Sequence, residues 1–192
     1  MDDKKAVIYD CAKELFIING FKDTNIAMIT EKANVAVGTF YSYYPSKEKL
    51  FFEIFLEENI KLKKQCLTVI DMRQKPLEVI SHMMALNSEG FRTNPILVEW
   101  YDKKVFAKIE KLFREEHGSQ STEFLYDYFL DLVKQWQQQN VIRDDIDSTM
   151  IMKIFTAIMN VDVHKEEIGI EYFPQLLNVM TELIMESLMV NP

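Results

Sequence analysis

The sequence predicts an all-α protein, and three observations carry that prediction. Apolar residues recur three and four positions apart along most of the chain, the period of amphipathic helices. Only five glycines and five prolines occur in 192 residues, so helices can run long without interruption. Helix starts and stops fall where capping chemistry places them. Hydrophobic residues make up 48% and charged residues 27%, the balance of a globular rather than a disordered chain.

Asp2 or Asp3 caps a first helix that reaches Asn19, with Ile8, Cys11, Ala12, Leu15 and Ile18 as its inward stripe. Gly20 stands where left-handed backbone ends a helix, and Phe21 packs back on the last turn. A short helix follows with Ile26, Ile29 and Ala33 on one side. Asn34 is among the few non-glycine residues that tolerate positive φ, and Val35 plugs the turn. A second short helix runs from about 36 to 44 with Phe40 inward, and Pro45 stops it. Ser46 caps the next helix. Helix, tight turn and helix over about 25–44 is the pattern of a DNA-reading helix-turn-helix.

Downstream, 47 to about 72 reads as one long helix, about 36 Å at 1.5 Å per residue, acting as a rigid lever out of the front domain. Further helices are expected at 77–93, briefly at 94–101, at 102–116, at 121–140 after a break at His117, Gly118 and Ser119, at 148–161 behind Asp147 or Ser148, and at 171–190 after a charged loop at 164–167. Gln137, Gln138 and Gln139 read as a solvated helix end. No strand and no internal repeat is evident. The domains expected are 1–50, a three-helix helix-turn-helix domain, and 51–192, a helical domain joined to it by the long helix.

The formal net charge is −8. Residues 1–50 hold seven lysines and seven acids, so the acidity lies wholly in 51–192. A front domain without net positive charge predicts weak non-specific DNA binding. Cys11 and Cys66 read as reduced thiols on apolar helix faces. His82, His117 and His164 have no metal-ligand spacing with them. The acidic run 144–147 lacks the glycine and distal glutamate of a calcium loop and reads as a helix cap. No phosphate loop or nucleophile elbow appears, so no catalytic residue, metal or cofactor is expected. No apolar run is long enough for a membrane span and no export signal is seen, so a cytoplasmic protein is expected.

The run Gly20, Phe21, Thr24, Ile29, Ala33, Val35, Gly38, Thr39, Phe40, Tyr41, Tyr43, Tyr44, Pro45, Ser46, Lys47, Glu48, Leu50 and Phe51 resembles the N-terminal domain of TetR-type transcriptional regulators. The matching stretch is about 6–52, a quarter of the chain. The resemblance implies a ligand-responsive, DNA-binding homodimer. It would be a repressor, bound to a near-palindromic operator and released by a small apolar or aromatic effector in the C-terminal domain. It also assigns residues. Ala27, Val37, Gly38, Thr39 and Tyr41 would lie nearest the bases or adjoining backbone, and Thr24, Asn25, Ser42, Tyr43 and Lys47 would hold phosphates. Trp100, Tyr101, Tyr126, Phe91, Met84 and Phe129 would line the effector cavity. Ile151, Phe155, Ile158, Leu176, Met180, Leu183 and Ile184, on the last two long helices, would form the dimer contact.

Relatives often carry glycine at 34, serine at 36 and a lysine or other polar residue at 37, where this chain has Asn34, Ala36 and Val37. Between 36 and 44 there is no Arg, Lys, Asn or Gln. Readout is therefore expected through methyl contacts, tyrosine hydroxyls and DNA shape rather than bidentate hydrogen bonds. Two other readings fit the sequence: a DNA-binding protein that needs no effector, and a helical ligand carrier or enzyme with a vestigial helix-turn-helix.

Overall fold

The computed structural model describes residues 3–115, 123–173 and 175–190. In chain order the helices are α1 (Asp3–Asp23), α2 (Ile26–Lys32), α3 (Val37–Tyr43), α4 (Lys47–Val69), α5 (Pro76–Thr93), α6 (Lys103–Glu115), α7 (Glu123–Gln138), α8 (Ser148–Val161), α9 (Lys165–Ile168) and α10 (Gln175–Leu188). The segment expected as a short helix before α6 is a 3₁₀ turn, Leu97–Tyr101. The charged loop holds the one-turn α9, and the last long helix starts later than expected because Ile170–Tyr172 forms another 3₁₀ turn. Asp2, the break at His117 to Ser119, the helix start at Ser121 and the side chain of Phe113 lie outside the described residues.

The chain divides into two compact units, Met1–Lys61 with Gly90–Ser121, and Leu62–Glu89 with Thr122–Pro192. The division falls inside α4 and α5. Residues 90–115, read from sequence as part of the second domain, thus cluster with the helix-turn-helix.

In the first unit α1 is bent at Gly20, whose φ of 76° and ψ of 171° lie in a region that is almost glycine-only. The bend drops Phe21 into the core against Phe16 (6.0 Å between ring centroids) and Phe51 (4.9 Å). Phe16 completes the Ile8, Ala12, Phe16 ridge, whereas Ile18, expected inside, is 73% exposed. Ile18 lies two residues past the buried Phe16, about 200° round the helix, and so faces outward. Residues 90–115 extend the same core: Trp100 stacks on Phe55 at 5.3 Å and meets Phe106 edge-on at 4.8 Å. Asn94 fastens that segment, its Oδ1 accepting from the Ile96 and Leu97 N–H groups and its Nδ2 donating to Glu58 Oε2 at 2.7 Å. Lys13 reaches the same carboxylate at 2.8 Å. Burial works to raise the Glu58 pKa, but Lys13 and Asn94 outweigh it and hold the group ionised.

In the second unit Cys66, Ile70, Val79, Met83, Leu132, Val133, Trp136, Ile142, Ile151, Met152, Met185 and Leu188 form one core cluster. Asn140 takes left-handed backbone (φ 55°) after α7. Gln137, read as solvated, instead donates to the Arg143 and Ile146 carbonyls (3.0 and 2.8 Å) and shapes the connection to α8. Asp147 caps α8 by accepting from the Thr149 N–H at 2.8 Å. An isolated antiparallel bridge joins Ile142 to Met189.

Two predictions follow from these environments. A Cβ built on Gly20 would lie 3.0 Å from Glu99 Oε1 on backbone that disfavours any side chain. Gly20→Ala is therefore expected to destabilise by about 1–3 kcal/mol, read as a lower chemical-denaturation midpoint. Lys63 in the second unit donates to Asn87 Oδ1, and burial lowers its pKa from 10.5 to about 8, against the opposing pull of Cys66 and Asp162. The unfolded chain thus binds the extra proton between those values, so this lysine makes stability rise with pH from about 8 to 10.5. Thermal melts across that window should show a shallower pH dependence for Lys63→Met than for the wild type.

Candidate nucleic-acid interface

The first unit builds its candidate interface on α2, α3 and the turn between them. Asn25 caps α2, its Oδ1 accepting from the Met28 N–H at 3.0 Å. Asn34 adopts φ 51°, and the Val35 N–H closes the turn on the Thr30 carbonyl at 3.0 Å. Phe40 is fully buried and fixes the inward face of α3. Ala36 caps α3 without a side-chain hydrogen bond, as its methyl dictates. Ser46 caps α4 by accepting from the Lys49 N–H at 3.1 Å.

Around α3 the expected contact residues separate into two groups. Ala27, Val37, Gly38, Tyr41 and Ser42 are exposed, with Val37 at 47% and Tyr41 at 54%. Thr39 and Tyr43 are half-buried. Asn25 is exposed, though its carbonyl oxygen is committed to the cap. Ser42 turns its hydroxyl back onto the Gly38 carbonyl at 3.1 Å. Asn25, Ile26, Tyr41, Pro45, Ser46, Lys47 and Glu48 line an open groove along the start of α4. Ile26, Pro45, Ser46 and Glu48 were not anticipated there, because the groove forms only where the start of α4 comes beside the start of α2.

Thr24 needs correction, and Lys47, though it lines the groove, has its ammonium partly committed elsewhere. Thr24 was expected to hold a phosphate, but its hydroxyl is fully buried and donates to the Gly20 carbonyl at 2.8 Å, with the Leu15 carbonyl 3.2 Å away. It ties down the bend in α1. Lys47 sends its ammonium inward, to the Phe21 and Thr24 carbonyls at 2.6 Å each and over the Phe21 ring at 4.1 Å. Burial lowers its pKa. Two of its three donors are spent holding the end of α1 to the start of α4.

A brace from residues 99–108 closes on the same corner. Glu99 accepts from the Phe21 N–H at 2.8 Å, left without a helical partner by the bend. Lys22 pairs with Asp102 at 2.5 Å, while Asp102 caps α6 through the Lys104 and Val105 N–H groups. Burial works to raise the Asp102 pKa, but Lys22 and those two N–H groups outweigh it and hold it low. Lys108 reaches Glu48 at 3.5 Å, and its ammonium lies over the Phe21 ring, 5.5 Å from the centroid.

The expected effector set is split between the units. Trp100, Tyr101 and Phe91 belong to the first, where Trp100 and Phe91 are core and Phe91 meets Tyr101 edge-on at 6.0 Å. Tyr126, Phe129 and Met84 belong to the second and are half-buried, with the Lys153 ammonium 5.4 Å over the Tyr126 ring. Of the expected dimer residues, Ile151 and Ile158 are buried within the unit and so correct that expectation. Phe155, Leu176, Met180 and Ile184 are half-buried, and Leu183 is 60% exposed. Met150, Met159 and Val179 are exposed apolar residues on the same two helices that the sequence reading left out of the set.

The first unit is a helix-turn-helix domain by geometry. Residues 8–54 match the profile of the bacterial regulatory proteins of the tetR family. YhgD of Bacillus subtilis (strain 168), an uncharacterized HTH-type transcriptional regulator, is 40% identical over 113 residues, which are 59% of this chain but only 53% of that protein. Among solved structures, Thermus thermophilus FadR, a TetR-family repressor in complex with lauroyl-CoA, aligns over 98% of this chain and 96% of its own with a TM-score of 0.64 and 22% identity. RolR in complex with resorcinol aligns over 97% of this chain and 88% of its own with a TM-score of 0.68 and 15% identity. These likenesses support the all-α fold over nearly the whole chain. Among the described residues no helix is long and apolar enough to cross a membrane.

The clamp assignment for Lys47 is testable. Lys47→Met keeps the apolar stem over Phe21 but removes both carbonyl contacts, and hydrogen bonds from a charged donor contribute about 1.5–3 kcal/mol each at most. The variant is expected to melt lower than the wild type in a circular-dichroism scan. An unchanged melting temperature would return the ammonium to a phosphate-binding role.

Proposed function

We propose that this chain is a dimeric, effector-responsive repressor that binds a near-palindromic DNA operator. The observation that carries the reading is the α2–turn–α3 geometry: Phe40 is locked inward while Val37, Gly38, Tyr41 and Ser42 are exposed on the outer face. A helix held this way by its own core is what entry into a major groove requires. Dimerisation falls to α8 and α10, whose outward residues Met150, Val179 and Leu183 are apolar and exposed. The FadR and RolR complexes supply the precedent for effector binding on this fold. In this chain Tyr126, Phe129 and Met84 of the second unit suit an apolar or planar effector, with the tyrosine hydroxyl as a polar handle. Effector binding would bias α4, which belongs to both units, between two settings and so alter the spacing of the reading helices. A coupling of about 1–3 kcal/mol is the usual scale.

Selection of genomic fragments by the purified protein at low salt tests this. Enriched sites should contain inverted half-sites about one helical turn, ~34 Å, apart. Leu183→Glu should lose both the dimer in sedimentation and the retention of those fragments. Absence of any enriched fragment, or a monomeric wild type that binds operator, would overturn the reading.

A further inference from the structure

Gly38 occupies an unusual place on α3. It lies two residues before the buried Phe40, about 200° round a helix of 3.6 residues per turn, and so near the centre of the outward face. Its backbone does not take positive φ, and a Cβ built on it meets nothing within 4 Å. Neither backbone geometry nor packing within the unit calls for glycine there. Glycine is nevertheless the poorest helix former after proline, so the bare position weakens a seven-residue helix. The residues beside it complete the picture. Val37 is apolar and 47% exposed, and the Ser42 hydroxyl is turned back onto the Gly38 carbonyl. Apart from Tyr41, the outward face thus presents a methyl pair and bare backbone, where a base-reading helix commonly presents several hydrogen-bonding side chains.

We propose that Gly38 is left bare so that the α3 backbone seats close to the base edges, and that this depth lets Val37 read thymine methyl groups in the operator. The inference rests on the DNA-binding reading above. The two halves depend on each other physically. The major groove is about 12 Å wide and a helix with its side chains about 10–12 Å across, so removing the central side chain governs how deep the helix sits. Contact between methyl groups is short-ranged and is lost with a small gap, so a valine reads a thymine only when the backbone behind it is close. Tyr41, 54% exposed one turn on, flanks the same strip.

The test uses the operator selected by the wild-type protein. Melting temperature and affinity are measured for the wild type, Gly38→Ala and Val37→Ala, on that operator, on the same duplex with deoxyuridine replacing thymine, and on a random duplex. Gly38→Ala should melt at or above the wild type, lose about tenfold or more on the operator and stay within about twofold on random DNA. The wild type should lose several-fold when the thymine methyls are removed, and Val37→Ala should be indifferent to their removal. A Gly38→Ala protein that holds the operator as tightly as the wild type overturns the close approach. A Val37→Ala protein as sensitive to deoxyuridine as the wild type overturns the methyl readout. A wild type that retains no DNA overturns the underlying DNA-binding reading, an outcome distinct from both.

Discussion

The bend at Gly20 is the constraint on which the first unit depends. A helix continuing through that position would carry Phe21 away from the core and leave its N–H bonded within the helix. The bend instead places the ring against Phe16 and Phe51 and presents the N–H to Glu99. It exposes the Gly20 and Phe21 carbonyls, which the Thr24 hydroxyl and the Lys47 ammonium then take. Three polar groups from three parts of the chain converge because one residue left the helical region. Each satisfies a backbone group that burial would otherwise leave at a cost of about 1–3 kcal/mol.

That convergence explains the composition of the unit. Glu99, Asp102 and Lys108 belong to a stretch that sequence order places far from the helix-turn-helix, yet each bonds to or lies over α1 or the start of α4. With Trp100 on Phe55 and Asn94 on Glu58, the stretch shares both the apolar core and the polar network of α1 and α4. A sequence boundary drawn at residue 50 separates chain segments, whereas the physical boundary separates cores.

What could be read from the sequence follows from how local each cause is. Positive φ at Asn34 and Gly20, the Ser46 and Asp147 caps and the inward Phe40 are set within a few residues and were legible. The roles of Thr24 and Lys47 were not, because polar side chains near a helix end look alike whether they face solvent or a carbonyl. Gln137 misled for the same reason: its partners, Arg143 and Ile146, come from a loop whose path is set by Asn140 and the Ile142–Met189 bridge. On α8 the apolar residues nearly encircle the helix, so spacing alone could not tell buried Ile151 and Ile158 from exposed Met150 and Met159.

The outward strip of α3 has a bearing on how such a protein changes over generations. Val37, Gly38 and Ser42 stand on the side away from Phe40, and substitutions there leave the packing that holds the helix in place untouched. Effects at positions without shared contacts are close to additive, so altered recognition carries little penalty in folding. On the proposed DNA-binding reading, recognition can therefore be altered on this strip at little cost to folding, whereas the bend, the clamp and the aromatic core hold the unit together.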